Sequence, residues 1–204
     1  MKRVAFLGLV VCLLASGCDD SKNPLSDPQT AKPDNRLIGV WRQRGENGEV
    51  TYYHVGHAGE NFPDGMLRIV WIKHDQGKIE LPQECLAFTT VLGGKTYLNV
   101  VWEGGKKQVK LLEEGGWKAD AVDYYTFVKY QVDGDKAVVW LIDEDAKERA
   151  IKSGKVKGVI EPNKPPKFTD TAENVARFVA EAGDSLFKTK EPFRFERVDA
   201  GKKP

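Results

Sequence analysis

Three histidines and one interior cysteine are the groups best suited to chemistry. His54-Val55-Gly56-His57 places two imidazoles three residues apart, with His74 further along. On a strand that spacing points them to opposite faces, so a shared metal would require Gly56 to introduce a bulge. The i, i+4 spacing that puts two histidines on one helix face is missing, and no metal is expected. Cys85 needs a neighbouring base to act as a nucleophile, and its neighbours Leu86, Ala87 and Phe88 favour a buried, inert thiol. Glu113-Glu114 and Asp143-Glu144-Asp145 lie beside turns or at a helix start, where capping and solvation account for them. Gly104-Gly105 and Gly115-Gly116 lack the strand-to-helix setting of a phosphate-cradling loop and read as turns. No catalytic residue and no cofactor follow from these patterns, so hydrolysis is the least favoured class. Trp41, Trp71, Trp102 and Trp140 fall in expected strands and Trp117 follows a glycine turn. Such rings fill a barrel interior, their commoner use, or wall a ligand cavity.

The N-terminus carries a different chemistry. Met1-Lys2-Arg3, an apolar run over 4–14 and Ala15-Ser16-Gly17 before Cys18 form a charged region, a short hydrophobic region and a small-residue cleavage site. The apolar run is shorter than the ~20 residues that span a bilayer. Leu14-Ala15-Ser16-Gly17-Cys18 resembles the bacterial lipobox. The resemblance implies a signal peptide over 1–17, cleavage before Cys18 and lipid attachment, palmitate included, at its thiol. Two or more acyl chains hold a protein firmly to a membrane. The expected location is the cell envelope, periplasmic or outer face, with Asp19 and Asp20 similar to an inner-membrane retention signal of one bacterial group and the choice of membrane open.

With Cys12 removed and Cys18 lipidated, Cys85 is left alone and no internal disulfide can form. The chain has 31 Lys and Arg against 30 Asp and Glu; loss of Lys2 and Arg3 leaves 29 against 30. That balance argues against nucleic acid as a partner, which would call for a basic stripe.

From 18 to 35 the sequence is rich in Pro, Ser, Asp, Asn and Lys with Leu25 the lone large apolar residue, which predicts a lipidated disordered tether. The remainder to 199 is long enough for one domain, followed by a polar tail over 200–204. β-Branched and aromatic runs predict strands over 38–44, 50–57, 66–74, 85–92, 96–103, 107–112, 123–132 and 136–142. Asn47-Gly48, Gly93-Gly94, Gly104-Gly105 and Asp133-Gly134 separate them as hairpin turns, giving an antiparallel meander. Leu67, Ile69 and Trp71 share one face while Val70 and Ile72 occupy the other, which suits a closed barrel with an apolar interior and a partly covered outside, or a sandwich.

Two helices follow. Asp143 caps the first and Gly154 ends it; Asp170 or Thr171 caps the second, whose Val175, Phe178, Val179 and Ala182 form a docking stripe ended by Gly183. The proline-rich link between them admits a short strand at Val159 and Ile160. A final strand, 193–198, sets Phe193, Phe195 and Arg197 on one side.

Leu37-Ile38-Gly39-Val40-Trp41 is similar to the Gly-x-Trp motif that opens the barrel of lipocalins and other calycins, and Asp123-Tyr124 resembles that family's second motif. Eight meander strands followed by a helix match its plan. The resemblance implies a structural Trp41 at the barrel base, covered by a late arginine, Arg194 or Arg197, and a cup for a small hydrophobic ligand. Two departures are Arg42 after the tryptophan and Val122 before Asp123. The leading expectation is therefore a membrane-anchored, lipocalin-like binding protein. The alternative is an envelope interaction or assembly factor with a filled core.

Overall fold

A computed structural model describes residues 20–45, 47–102, 117 and 122–198. The strands are β1 (Gly39–Arg44), β2 (Val50–His57), β3 (Met66–Asp75), β4 (Lys78–Ile79), β5 (Gln83–Leu92), β6 (Lys95–Trp102), β7 (Thr126–Asp133) and β8 (Lys136–Leu141). Helix α1 (Glu144–Lys152), the ribbon β9 (Gly158–Val159) and β10 (Lys167–Phe168), helix α2 (Ala172–Ala182) and β11 (Phe193–Arg197) complete the order.

All pairings in the main sheet are antiparallel, running β2-β1-β11-β8-β7-β6-β5-β3, and β2 also pairs with β3, so the sheet closes into an eight-stranded barrel. β4 only extends the end of β3. Gly93 and Gly94, both at positive φ, make the two-residue turn between β5 and β6, a geometry that right-handed strand twist favours.

Closure differs from the sequence expectation in one respect. The segment 107–112 lies outside the described residues, and β6 pairs directly with β7, making β7 the sixth stave. β11 is therefore the eighth stave, lying between β8 and β1, where the sequence placed it beyond the barrel. Both helices are inserted before the last stave. Adjacency in sequence does not reveal this, because the returning strand is separated from β8 by about fifty residues of chain.

Staves β3 and β5 to β8 alternate between two apolar environments, whereas β1, β2 and β11 turn exposed polar side chains such as Arg44, His54 and Glu196 outward. Leu37, Leu67, Trp71, Cys85, Ala87, Leu98, Val100, Val128 and Tyr130 form an inner core, and a larger outer core sits between the wall and the helices. This explains the apolar residues on both faces of the strands. The caps form as expected: Asp143 accepts from Ala146 N at 3.0 Å, and Thr171 caps α2 by accepting from Asn174 N. Asp170 instead accepts from Thr171 N and the Asn174 amide.

The predicted tether is corrected. Residues 20–35 belong to the domain, crossing the outside of the barrel as a strap. Ser21 bridges to both Tyr125 and Phe168; Leu25, 3% exposed, enters the outer core and donates its amide to Asn99 Oδ1 at 2.7 Å. Asp20 is buried, accepting from Phe127 N at 2.9 Å and from Lys147 Nζ at 2.5 Å. Burial pushes the Asp20 carboxyl above its ordinary range, and Lys147 and the Phe127 amide oppose that shift. A polar composition concealed the strap because its long-range partners lie 64 to 147 residues away.

Candidate functional site

The barrel interior contains an apolar cavity of about 210 Å³. Alternation along the staves aims Trp41, Tyr53, Trp71, Cys85, Trp102 and Phe195 into it, with aliphatic groups such as Ile69, Val100 and Val139 between them. The aromatic wall is organised. Tyr53 stacks with Trp71 at 6.3 Å, Trp71 meets Trp102 edge-on at 5.6 Å, and Phe195 meets Tyr53 edge-on at 5.2 Å.

Polar ends of these rings find hydrogen-bond partners. Trp102 Nε1 donates to Thr126 Oγ1 at 2.8 Å, and Tyr53 Oη donates to Gln43 Oε1 at 3.0 Å. Burial pushes the Tyr53 phenol above its ordinary value, so it stays neutral. The aromatic wall therefore carries no charge, and the charged lining residues Glu49, Lys73 and Glu80 stand at the mouth.

At the base, Trp41 Nε1 donates to Leu37 O at 2.7 Å, and the Arg197 guanidinium lies 4.3 Å from the centre of the Trp41 ring. Arg197 also donates to Ile38 O at 2.7 Å and to Arg36 O. Of the two candidate arginines, Arg197 is the one that covers the tryptophan; Arg194 is exposed. Gly39 is required here, since its φ of +135° suits glycine and a Cβ would sit 2.6 Å from Arg197 Nη1.

The opposite end is the mouth, formed where β1 turns into β2 and β3 into β5. Gly45, Glu49, Lys73, Glu80, Leu81 and Gln83 surround it. Lys73 and Glu80 pair at 3.2 Å, while Ile79 and Leu81 are 69% and 86% exposed. The sequence does not single out this rim, although Gln76-Gly77, whose φ values are +46° and +79°, is a turn signal marking the hairpin that carries it.

The remaining candidates are dispersed. β2 and β3 pair in unbroken register from Val50↔His74 to His57↔Leu67, so Gly56 makes no bulge and His54 and His57 point apart. His54 is exposed, His74 packs against Tyr52 outside the barrel, and His57 is exposed at the far end of β2. Among the described residues no three metal-binding groups converge. Cys85 lies inside the wall, out of reach of the exterior histidines as bases. Of the tryptophans, Trp140 and Trp117 pack outside, against the outer core. Cys18, Glu113-Glu114, Gly104-Gly105 and Gly115-Gly116 lie outside the described residues.

No protein-family model, curated protein or solved structure matches this chain.

Proposed function

We propose that this protein is a lipid-anchored, lipocalin-like binding protein of the bacterial envelope that takes a small apolar or amphipathic molecule into its barrel. The cavity carries the reading. An eight-stranded barrel is just wide enough to be filled by side chains or to hold one small ligand, and here the aromatic side chains leave about 210 Å³ unfilled. A cavity of roughly 150 Å³ with a similar apolar lining accepts benzene, so the ligand portion inside is a single ring or a short alkyl segment. The mouth suits a polar end, since Lys73, Glu80, Gln43 and Gln83 stand there and nothing charged lies deeper. The Gly39-Trp41-Arg197 base, together with the closed antiparallel meander, supports the lipocalin likeness. The lipobox ending at Cys18 supports the anchor.

The test is mass spectrometry of the full chain from a bacterial host, in denaturing and native modes. The denatured mass should exceed that of the chain from Cys18 onward by its lipid, and Cys18→Ser should lack that increment. The native mass should carry a further small molecule that leaves on denaturation, and that Val139→Phe, which puts a ring into the cavity, excludes. An empty native mass after incubation with total lipid extract and small aromatic compounds would remove the binding reading. Residues from Asp20 onward must be kept, because Leu25 and Asp20 are part of the fold.

A further inference from the structure

The strap leaves almost no slack between the domain and Cys18. Asp20 is 3% exposed and fixed from three sides: its backbone to Tyr125 O and Phe168 N, its carboxylate to Lys147 and Phe127 N. Two residues of extended chain span at most about 7 Å. Covalent continuity alone keeps a lipid on Cys18 within about that distance of Asp20, which sits against Tyr125, the start of α1 and β10.

This wall belongs to the mouth end of the barrel. β7 starts there and β8 ends there, as β1, β3 and β6 also do, while the Gly93-Gly94 and Gly134-Asp135 turns and the C-terminus of β11 lie at the other end. Around the strap's exit the surface combines exposed apolar side chains with lysines. Val159 and Ile160, on the β9–β10 ribbon that holds Ser21, are 43% and 40% exposed, and Tyr124 is 39% exposed beneath Lys167 Nζ at 4.0 Å. Lys22, Lys155, Lys157 and Lys164 are exposed on the same segments, and the acids there are Asp123, Glu161, paired with Lys164, and Glu144 and Asp145 in the first turn of α1. Exposed apolar groups set among lysines match the interface of a bilayer with anionic headgroups.

We infer that the domain is seated directly on the membrane, with the β9–β10 ribbon and Tyr124 in the interface and the cavity mouth at the membrane-proximal end. The inference rests on the reading that Cys18 is lipidated. In this seating an apolar ligand reaches the mouth from the bilayer with little or no passage through water, and exposed Ile79 and Leu81 at the rim meet a lipid surface instead of solvent.

Fluorescence quenching tests it. In a Cys85→Ala background, Val159→Cys and Val91→Cys each receive an environment-sensitive fluorophore; Val91 is 63% exposed beside the Gly93-Gly94 turn at the far end. The lipidated full chains are reconstituted in vesicles of phosphatidylcholine and phosphatidylglycerol containing a lipid with a quencher near the headgroup. The label at 159 should shift to the blue and lose most of its emission, and the label at 91 should keep both its colour and its intensity. Labels that both stay as in water, or quenching at 91 instead, overturn the seating. Intact mass separates the two readings. A chain without lipid on Cys18 defeats the anchor and the seating with it, whereas a lipidated chain unquenched at 159 defeats the seating alone.

Discussion

At the scale of single residues, the barrel base is held by one side chain acting on several groups. Arg197 ties β11 to the entry of β1 through two main-chain carbonyls and covers Trp41, so one side chain joins the last stave of the barrel to the first. Each charge-assisted hydrogen bond contributes about 1.5–3 kcal/mol and the cation–ring contact roughly 0.5–2 kcal/mol. Arg197→Ala should lower unfolding free energy by about 2–4 kcal/mol in urea titrations, allowing for partial replacement by water. Arg197→Lys should recover only a small part, because an ammonium cannot reach both carbonyls while lying flat on the indole. Gly39→Ala should act like a mild Arg197 variant, displacing the guanidinium that occupies its Cβ position. A midpoint unchanged by Arg197→Ala would mean the base is not a clasp. The motif was legible in the sequence as Gly39-x-Trp41, yet the choice between Arg194 and Arg197 was not. It depends on which side of β11 faces inward, and that follows from its register with β1, Trp41↔Arg197.

Two elements show where the physics of burial departs from composition. The strap looks like a linker because its polar residues are numerous, but Asp20, Asn23 and Ser26 spend their polarity on specific partners, and its Leu25 amide satisfies Asn99 of β6. Lys147 is equally hidden: a lysine on an amphipathic helix reads as solvated, yet it is 0% exposed and finds Asp20 127 residues away. Asp20→Ala should cost roughly 3–5 kcal/mol, since it strands a buried ammonium. Adding Lys147→Met should return much of that loss, as neither charge is then left unpaired. Equal stability of Asp20→Ala and the parent would show that the strap is not part of the cooperative unit. The short helical turn at Gly183–Leu186 offers a pH-dependent contrast. Asp184 accepts from Lys129 and Lys95, each at 2.8 Å, and the hydrogen bond from Lys129, followed by that from Lys95, holds its carboxyl at about 2. Its folded pKa lies below the ordinary 3.8, so the stabilisation is present above pH ~4 and fades as pH falls toward ~2. Hydrogen exchange at this turn should quicken over that window, by a modest amount because the carboxylate is largely exposed. Asp184→Asn should flatten the response, and an unchanged acid profile in the variant would assign it to another carboxylate.

For the whole molecule, the two cores divide the labour. The outer core, with Phe88, Tyr97, Phe127, Phe168 and Val179 essentially sealed, is packed by helices and strap. The inner core, lined by rings that lean on one another, retains open space. The meander, its turns and the two-sided apolar pattern were visible in the sequence because each is local. The cavity was not, since its volume is the difference between barrel size and side-chain size, and only closure by β11 fixes the first. This division predicts how ligand and stability are linked. A molecule bound only by the closed barrel raises unfolding free energy by RT ln(1 + [L]/Kd), about 2.7 kcal/mol at a hundredfold excess over Kd. Thermal midpoints should therefore climb logarithmically with concentration for small aromatic or short-chain amphiphiles. They should stay flat for long rigid compounds that exceed the cavity. Val139→Phe should separate the two effects: its ring occupies space a ligand would use, so the variant's midpoint should no longer respond to any of these compounds. Overpacking is distinguishable from this result, since it lowers the ligand-free midpoint by the equivalent of about 1–3 kcal/mol without removing the concentration dependence. A parent midpoint that ignores every small apolar compound, with the variant equally stable, would assign the open volume to imperfect packing and transfer the weight of the functional reading to the outer surface.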